Sequence, residues 1–177
     1  MFLIVTRNFP PDIGGIQMLM GGLSESLFNH GPVKVFTYKY PKSNTYDCKS
    51  SLNIERINGI KFFRKYRKAN LINNFINSNK NIKALIADHW KSLELIKTKN
   101  FKKIKIFCLL HSKEINHEIK SSLNNRLIKS TNNADFIIAN SNFTKELAIK
   151  VGLNSSKINI IFPGVQIPKD IDNVSKI

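Results

Sequence analysis

Short runs of β-branched and aromatic residues alternate along this chain with longer stretches whose apolar residues recur at helical spacing. The runs lie at 2–5, 33–38, 84–87, 104–110, 136–139 and 158–162. Several of them, above all 104–110, lack the polar alternation of a strand with one wet face, which is typical of strands covered on both sides. Strands that alternate with helices need crossover connections. The sequence therefore predicts an α/β fold, with a doubly wound, mostly parallel sheet and helices on both faces.

The stretches between the runs carry apolar stripes, which predict helices that face the core. Ser141 stands where a helix cap is needed, and Gly152 follows the last apolar residue of the same stretch, where a left-handed closing residue is expected. The stripes comprise Ile16, Leu19, Met20, Leu23 and Leu27; Ile72 and Ile76; Trp90, Leu93 and Ile96; Ile115, Ile119, Leu123 and Leu127; and Phe143, Leu147 and Val151.

Composition limits the class of protein. Hydrophobic residues make up 42% of the 177 residues, enough for one globular domain with a buried core. The net charge of +16 would ordinarily suggest nucleic acid or an anionic membrane. However, the basic residues are mostly lysine, spread over both halves beside many Asn and Ile, as AT-rich codons produce. Two cysteines exclude a disulfide scaffold and favour a reducing compartment.

Targeting segments are not expected. The chain has no apolar run of the ~20 residues that a membrane span needs. Its first residues lack the basic leader and longer apolar stretch of a secretory signal. We expect a cytoplasmic protein that is either soluble or lies on the inner face of the membrane.

In an open α/β sheet, ligands bind outside the carboxyl ends of the strands, so the residues after each run are the candidates for function. After the first run, Gly14 and Gly15 precede a predicted helix. Adjacent glycines let the backbone approach a ligand closely, and the free N–H groups of a helix start favour an anion such as phosphate. A tight turn explains the same pair without a ligand.

Asp88 and His89 directly follow the run 84–87. A carboxylate beside an imidazole at a strand end can orient a sugar hydroxyl or relay a proton. The alternative is that Asp88 caps the next helix and that His89 lies on the surface.

His111 directly follows the most apolar run of the chain, with Glu114 three residues later. A histidine placed there by a buried strand is held rigidly, which suits ligand binding or acid/base chemistry, although a purely structural histidine is the alternative. His117 lies at the wrong spacing to share a metal with His111 on one helical face, so no metal site is predicted. Ser141 also follows a run, and a capping role explains it alone.

The segment 56–68 is predicted to add one or two strands, joined by a turn at Asn58 and Gly59. Basic and aromatic residues interleave from Lys61 to Lys68. Such a surface could bind nucleic acid or dock on anionic lipid. A lysine-rich strand with one solvated face explains the same residues without a ligand.

Taken in order, these segments resemble the N-terminal domain of glycosyltransferase family 4, the retaining, nucleotide-sugar-dependent enzymes of GT-B architecture. FPPDIGGIQ is similar to the family's proline-rich Gly-Gly loop, IADHWKSLE to the segment after its middle strand, and LLHSKE to its histidine motif. ADFIIANSNFTKELAIKVGLNSSKINIIFPGV is similar to its final strand, helix, strand and crossing segment. The resemblance implies one Rossmann-like half of a GT-B fold over residues 1–167, followed by an interdomain linker over 168–177.

The resemblance also implies roles for the matching residues. His111 is the expected catalytic residue, close to the reacting sugar. The glycine loop would lie against the donor diphosphate or the acceptor, and the segment after the middle strand would line the acceptor side. The expected substrate- and diphosphate-binding residues are Gly14, Gly15, Asp88, His89, Glu114 and Ser141.

The partners implied are a nucleotide sugar as co-substrate, with no other cofactor, and a carbohydrate or lipid-linked acceptor, as in cell-envelope polysaccharide synthesis. Family members carry a second, donor-binding domain, and the sequence stops just after the crossing segment. We therefore expect a hexosyltransferase half that is inactive, or nearly so, without a C-terminal domain or subunit. The alternatives are an assembly subunit and a basic binding module on a membrane or nucleic acid, with nucleic acid the less favoured. A Rossmann oxidoreductase is disfavoured because no G-x-G-x-x-G follows the first run.

Overall fold

The strands of this protein lie parallel in one sheet. The computed structural model describes residues 1–98, 101 and 103–164. The strands of that part are β1 Phe2–Val5, β2 Val33–Tyr38, β3 Asn53–Ile57, β4 Ala84–Ala87, β5 Lys105–Leu110, β6 Phe136–Ala139 and β7 Ile158–Ile160. They form a seven-stranded sheet in the order β3-β2-β1-β4-β5-β6-β7, and every pairing is parallel. The predicted doubly wound, Rossmann-like α/β fold is confirmed.

The strand order reverses between β1 and β4, because β1 pairs with β2 on one side and with β4 on the other. The carboxyl ends of these two strands therefore flank the crevice in which open sheets of this kind bind their ligands. The connecting helices are α1 Gly15–Phe28, α2 Ser43–Lys49, α3 Lys61–Ser78, α4 Trp90–Leu93, α5 Ser112–Ile115, α6 Ser122–Thr131 and α7 Asn142–Lys150, with a 3-10 turn at Ser155–Lys157.

Both faces of the sheet are covered. Successive side chains of a strand point to opposite faces, and in β1 Leu3 and Val5 join one buried cluster while Ile4 joins the other. The larger cluster includes Trp90 and the smaller one Phe9. Burial on both sides explains why these runs lack polar alternation.

Most predicted elements are observed. The runs 2–5, 33–38, 84–87 and 136–139 are β1, β2, β4 and β6, while β5 and β7 are shorter than the runs that predict them. Ser141 caps α7 by accepting from the Thr144 backbone N–H at 3.1 Å. Gly152 has a φ of 95°, the left-handed conformation expected after a helix.

The prediction for the segment 56–68 is wrong in its second half. The predicted strand at the start of this segment is present, because Ile57 is the last residue of β3. Phe62 and Phe63, by contrast, lie in the first turn of α3. Gly59, at a φ of 115°, turns the chain out of the sheet. The buried face of α3, which includes Lys68, Ile72 and Ile76 at helical spacing, then overrides the strand preference of the aromatic pair.

Two other helical details differ from prediction. The stripe from Ile115 to Leu127 is divided between α5 and α6, with Lys120 at a φ of 65° between them. Helix α2 has no apolar stripe in the sequence and was not predicted. The predicted linker over 168–177 lies outside the described residues, and none of the helices in the described part is long and apolar enough to cross a membrane.

Candidate active site

The side chain of Asp88 joins the carboxyl ends of β1 and β4. Its Oδ2 accepts hydrogen bonds from Thr6 Oγ1 at 2.7 Å and from the backbone N–H of Arg7 at 3.0 Å. Asp88 is 1% exposed, and burial of a carboxylate is costly unless donors satisfy it. These two donors satisfy Oδ2, whereas Oδ1 has no hydrogen-bond partner in the described part of the chain. Thr6 and Arg7 therefore fix Asp88 at the point where the strand order reverses.

His111 extends this junction to the end of β5. Its Nε2 lies 3.1 Å from the backbone carbonyl oxygen of Asp88. A carbonyl oxygen only accepts, so Nε2 carries the hydrogen and Nδ1 of the neutral ring carries the lone pair. Burial lowers the pKa of His111, partly offset by the Asp88 charge. The geometry leaves His111 a rigidly held hydrogen-bond acceptor at the carboxyl edge of the sheet.

His89 is buried, which differs from the alternative that placed it on the surface. It is 4% exposed, and its Nδ1 accepts from the Lys91 backbone N–H at 2.8 Å, so that His89, and not Asp88, caps α4. Its Nε2 contacts a carboxylate oxygen of Glu114. Burial, reinforced by the charge of Arg7 and Lys91, lowers the pKa of His89 to about 3.

Glu114 is held from two sides. Its carboxylate meets His89, and its backbone carbonyl accepts from Trp90 Nε1 at 3.1 Å. Trp90 is fully buried, and Ser130 Oγ donates to its carbonyl at 2.6 Å. These contacts fix the short helix α5, and with it the segment from His111 to Glu114, against the ends of β4 and α6.

The glycine loop lies at the same edge, after β1. Gly14 is extended, with φ at 162°, and precedes α1. A Cβ on Gly14 would stand 2.5 Å from Gln17 Oε1, whereas a Cβ on Gly15 would meet open space. Arg56 anchors the loop by donating from Nη2 to the Pro10 carbonyl at 2.5 Å while it pairs with Asp47.

A sequence comparison identifies the family of the chain. The model of Glycosyltransferase Family 4 matches residues 13–168. The chain belongs to glycosyltransferase family 4. A comparison with curated protein sequences gave no match.

Solved structures share the fold of this family 4 domain at low sequence identity. HepE of Anabaena, in complex with UDP-glucose, matches 93% of this chain and 44% of its own with a TM-score of 0.70 and 12% identity. The lipopolysaccharide outer core galactosyltransferase WaaB matches 96% of this chain and 47% of its own, with a TM-score of 0.65 and 16% identity. The UDP-GlcNAc 2-epimerase of Methanocaldococcus jannaschii matches 90% of this chain and 45% of its own, with a TM-score of 0.59 and 12% identity. The chain spans less than half the length of each, which agrees with one half of a GT-B architecture.

The family 4 domain brings some of the predicted site residues together and leaves others apart. Asp88, His89, His111 and Glu114 form one connected junction. Gly14 and Gly15 lie at the same sheet edge, after β1. Ser141 hydrogen bonds within its own capping turn, to Thr144. In the described part of the chain, no group of three metal-ligating side chains comes together.

Sequence reasoning missed Lys68, which is buried in the family 4 domain. Its Nζ donates to the Thr6 carbonyl at 2.9 Å, and desolvation lowers its pKa to about 8. The signal was present, because Lys68, Ile72 and Ile76 recur every four residues on one helix face. Thr6 and Arg7 gave no such signal, since their roles depend on contacts across the sheet.

Proposed function

We propose that this domain is the acceptor-side half of a retaining glycosyltransferase, which transfers a hexose from a nucleotide sugar to a glycan or lipid-linked acceptor. The observation that carries the proposal is the junction of Asp88 and His111 at the crevice between β1 and β4. Membership of glycosyltransferase family 4 selects transfer among the reactions that this fold supports. We place the reaction in the cytoplasm, at the inner face of the membrane.

In the proposed mechanism His111 is the catalytic residue. Its Nδ1 lone pair accepts a hydrogen bond from a hydroxyl of the donor sugar, and its Nε2 bond to Asp88 prevents the ring from turning away. Asp88 and His89 are positioning residues, because both are almost wholly enclosed. A group held within a few tenths of an ångström of its reacting partner lowers the barrier by pre-organisation.

The leaving diphosphate requires positive charge. The backbone N–H groups at the start of α1, beside Gly14 and Gly15, favour an anion. Stabilisation of the leaving group is normally the largest contribution to such a reaction, and we assign the rest of it to the cations of a donor-binding domain. The domain alone is therefore expected to have little or no activity, and the nucleotide sugar is a co-substrate, so that no further cofactor is invoked.

The test is to express this domain together with a family 4 donor-binding domain encoded beside it. UDP release from UDP-glucose is measured with a panel of glycan acceptors, and the anomeric configuration of the product is read by NMR. The pair is expected to turn over and neither half alone to do so, with retained configuration. Turnover by this domain alone would overturn the need for a partner. A pair that binds UDP-glucose without transfer would overturn the catalytic proposal.

A peripheral membrane contact is the second candidate function. At the start of helix α3, the side chains of Phe62 and Phe63 are 80% and 67% exposed to solvent. Lys61 and Lys65, also exposed, lie beside them. Exposed apolar side chains flanked by lysines complement an anionic lipid surface. Phe63→Ser is expected to reduce co-sedimentation with phosphatidylglycerol vesicles, with Leu123→Ser on α6 as control. Equal binding by both variants would overturn the contact, and steeply salt-dependent RNA binding would favour nucleic acid instead.

A further inference from the structure

Three cationic side chains converge at the carboxyl ends of β1 and β2. The ring of Tyr38, the last residue of β2, lies 3.9 Å from the Arg64 guanidinium carbon and 4.6 Å from Lys68 Nζ, measured to the ring centroid. Arg7 follows β1, and its charge acts on both Tyr38 and Lys68. Arg64 and Lys68 therefore lie against one aromatic ring at the edge of the crevice, and Arg7 follows the neighbouring strand; the three residues are called the cationic cluster.

The positive charge of this cluster is poorly compensated. Asp88 is the one carboxylate whose charge acts on Lys68. Its Oδ2 accepts from Thr6 Oγ1 and from the backbone N–H of Arg7, and its Oδ1 is buried without a hydrogen-bond partner among the described residues. Within residues 1–98, 101 and 103–164, neither Arg7 nor Arg64 forms an ion pair. Nε of Arg64 is buried and has no hydrogen-bond partner in that part of the chain.

Lys68 adds unused donors. It is 4% exposed, and an ammonium group has three N–H donors. Its one hydrogen bond runs to the Thr6 carbonyl. Burying like charges together destabilises a fold unless an anion or a functional requirement offsets the cost. The guanidinium of Arg64, which has no ion pair among the residues that the structure describes, and the ammonium of Lys68, which has unused donors there, can together donate hydrogen bonds to phosphate oxygens.

We propose that Arg7, Arg64 and Lys68 form a binding site for the phosphate group of the acceptor. The identification of the ligand as the acceptor rests on the proposed function, whereas the anion site itself rests only on the cluster. The site lies on the β1, β2 and α3 side of the crevice, and so adds a phosphorylated sugar or a phosphate-linked lipid to the class of acceptors. Both ligands share an anionic phosphate group with at least two non-bridging oxygens, which can accept from more than one cation.

The first experiment titrates inorganic pyrophosphate and inorganic phosphate into the full chain at low salt by calorimetry. Arg64→Gln is expected to weaken binding by about tenfold, the effect of losing one charge-assisted contact. Lys129→Gln removes the same charge from an exposed residue of α6 and is expected to bind as the wild type does. Wild-type protein without binding, or equal weakening in both variants, would overturn the site. Arg7→Gln gives a second variant on another element, should Arg64→Gln fail to fold.

The second experiment distinguishes the two sources of phosphate. Glycerol 3-phosphate is titrated in solution, and phosphatidic acid is presented in phosphatidylcholine vesicles. Arg64-dependent binding of the soluble ester alone supports a phosphorylated sugar, and Arg64-dependent vesicle binding supports a lipid-linked acceptor. Vesicle binding that Arg64→Gln leaves unchanged counts against the lipid source. These measurements need no donor-binding domain, so failure of the anion site leaves the transfer proposal standing, and failure of transfer leaves anion binding intact.

Discussion

Gly21 of α1 packs directly against the ring of Pro10 in the glycine loop. A Cβ on Gly21 would stand 2.9 Å from Pro10 Cγ, too close for two carbon atoms, whereas a Cβ on the adjacent Gly22 would meet nothing within 4 Å. The absence of a side chain at this one position lets the helix lie against the loop that leads to Gly14 and Gly15.

We expect these two glycines to respond oppositely to alanine. Gly22→Ala should raise the free energy of unfolding by about 1 kcal/mol, since alanine is the better residue in a helix interior. In Gly21→Ala the same gain in helix stability is offset because the new methyl group overpacks against the ring of Pro10, which costs roughly 1–3 kcal/mol. The free energy of unfolding of this variant should therefore stay unchanged or fall. Urea denaturation of both variants measures the difference, and equal stabilisation would show that the loop can move away at no cost.

His111→Gln tests the catalytic assignment in the assembled enzyme. We expect kcat to fall by about 10²-fold, the usual loss when one group that stabilises a transition state is removed, with a smaller change in the KM for the nucleotide sugar. His30→Gln, at an exposed residue after α1, should leave kcat unchanged. A larger effect on KM than on kcat would instead make His111 a residue for ground-state binding.

The buried His89 should make the domain sensitive to acid. Its pKa is lowered to about 3 in the folded chain, whereas an unfolded histidine titrates near 6.5. Between these values the unfolded chain binds the extra proton, so the free energy of unfolding decreases as pH falls from about 6.5 towards 3. His89→Gln should flatten this dependence, and His30→Gln should not. Urea titrations at a series of pH values would contradict the assignment if the two variants showed the same slope.

The two cysteines should differ sharply in reactivity. Cys48 is exposed, and Cys108 is buried in β5, where burial raises the pKa of its thiol. Because the thiolate is the reactive form, a thiol reagent should label Cys48 rapidly in the native protein and Cys108 only after denaturation. Cys48→Ser is the control variant. Rapid native labelling of that variant would mean that β5 opens readily.

The sheet could be predicted from the sequence because its strands are buried on both faces. Runs such as Ala84–Ala87 and Phe136–Ala139 are apolar throughout, and their bounds coincide with the strands. Likewise, the placement of His111 at the carboxyl edge follows from the apolar strand that precedes it. The strand prediction at Phe62 and Phe63 was wrong because local preference there competes with the buried face of α3, which begins only at later residues.

The arrangement of the site could be predicted only in part. Asp88 and His89 were correctly identified as residues at a strand end, but which of them caps α4 and how deeply both are buried depend on Thr6, Arg7 and Glu114, which are distant in sequence. The cationic cluster was missed for the same reason, since Arg7 follows β1 whereas Arg64 and Lys68 lie on α3, and only the packing of α3 on the sheet brings the last two against Tyr38 of β2.

The position of Trp90 also has a practical consequence. It is the chain's one tryptophan, fully buried and bonded to Glu114 and Ser130, with the ring of His117 edge-on at 6.1 Å. Protein fluorescence excited at the red edge of the absorption band therefore originates from one indole, that of Trp90, which lies next to the segment from His111 to Glu114. Unlabelled protein can thus report optically, in real time, whether a ligand or a partner domain disturbs this part of the molecule.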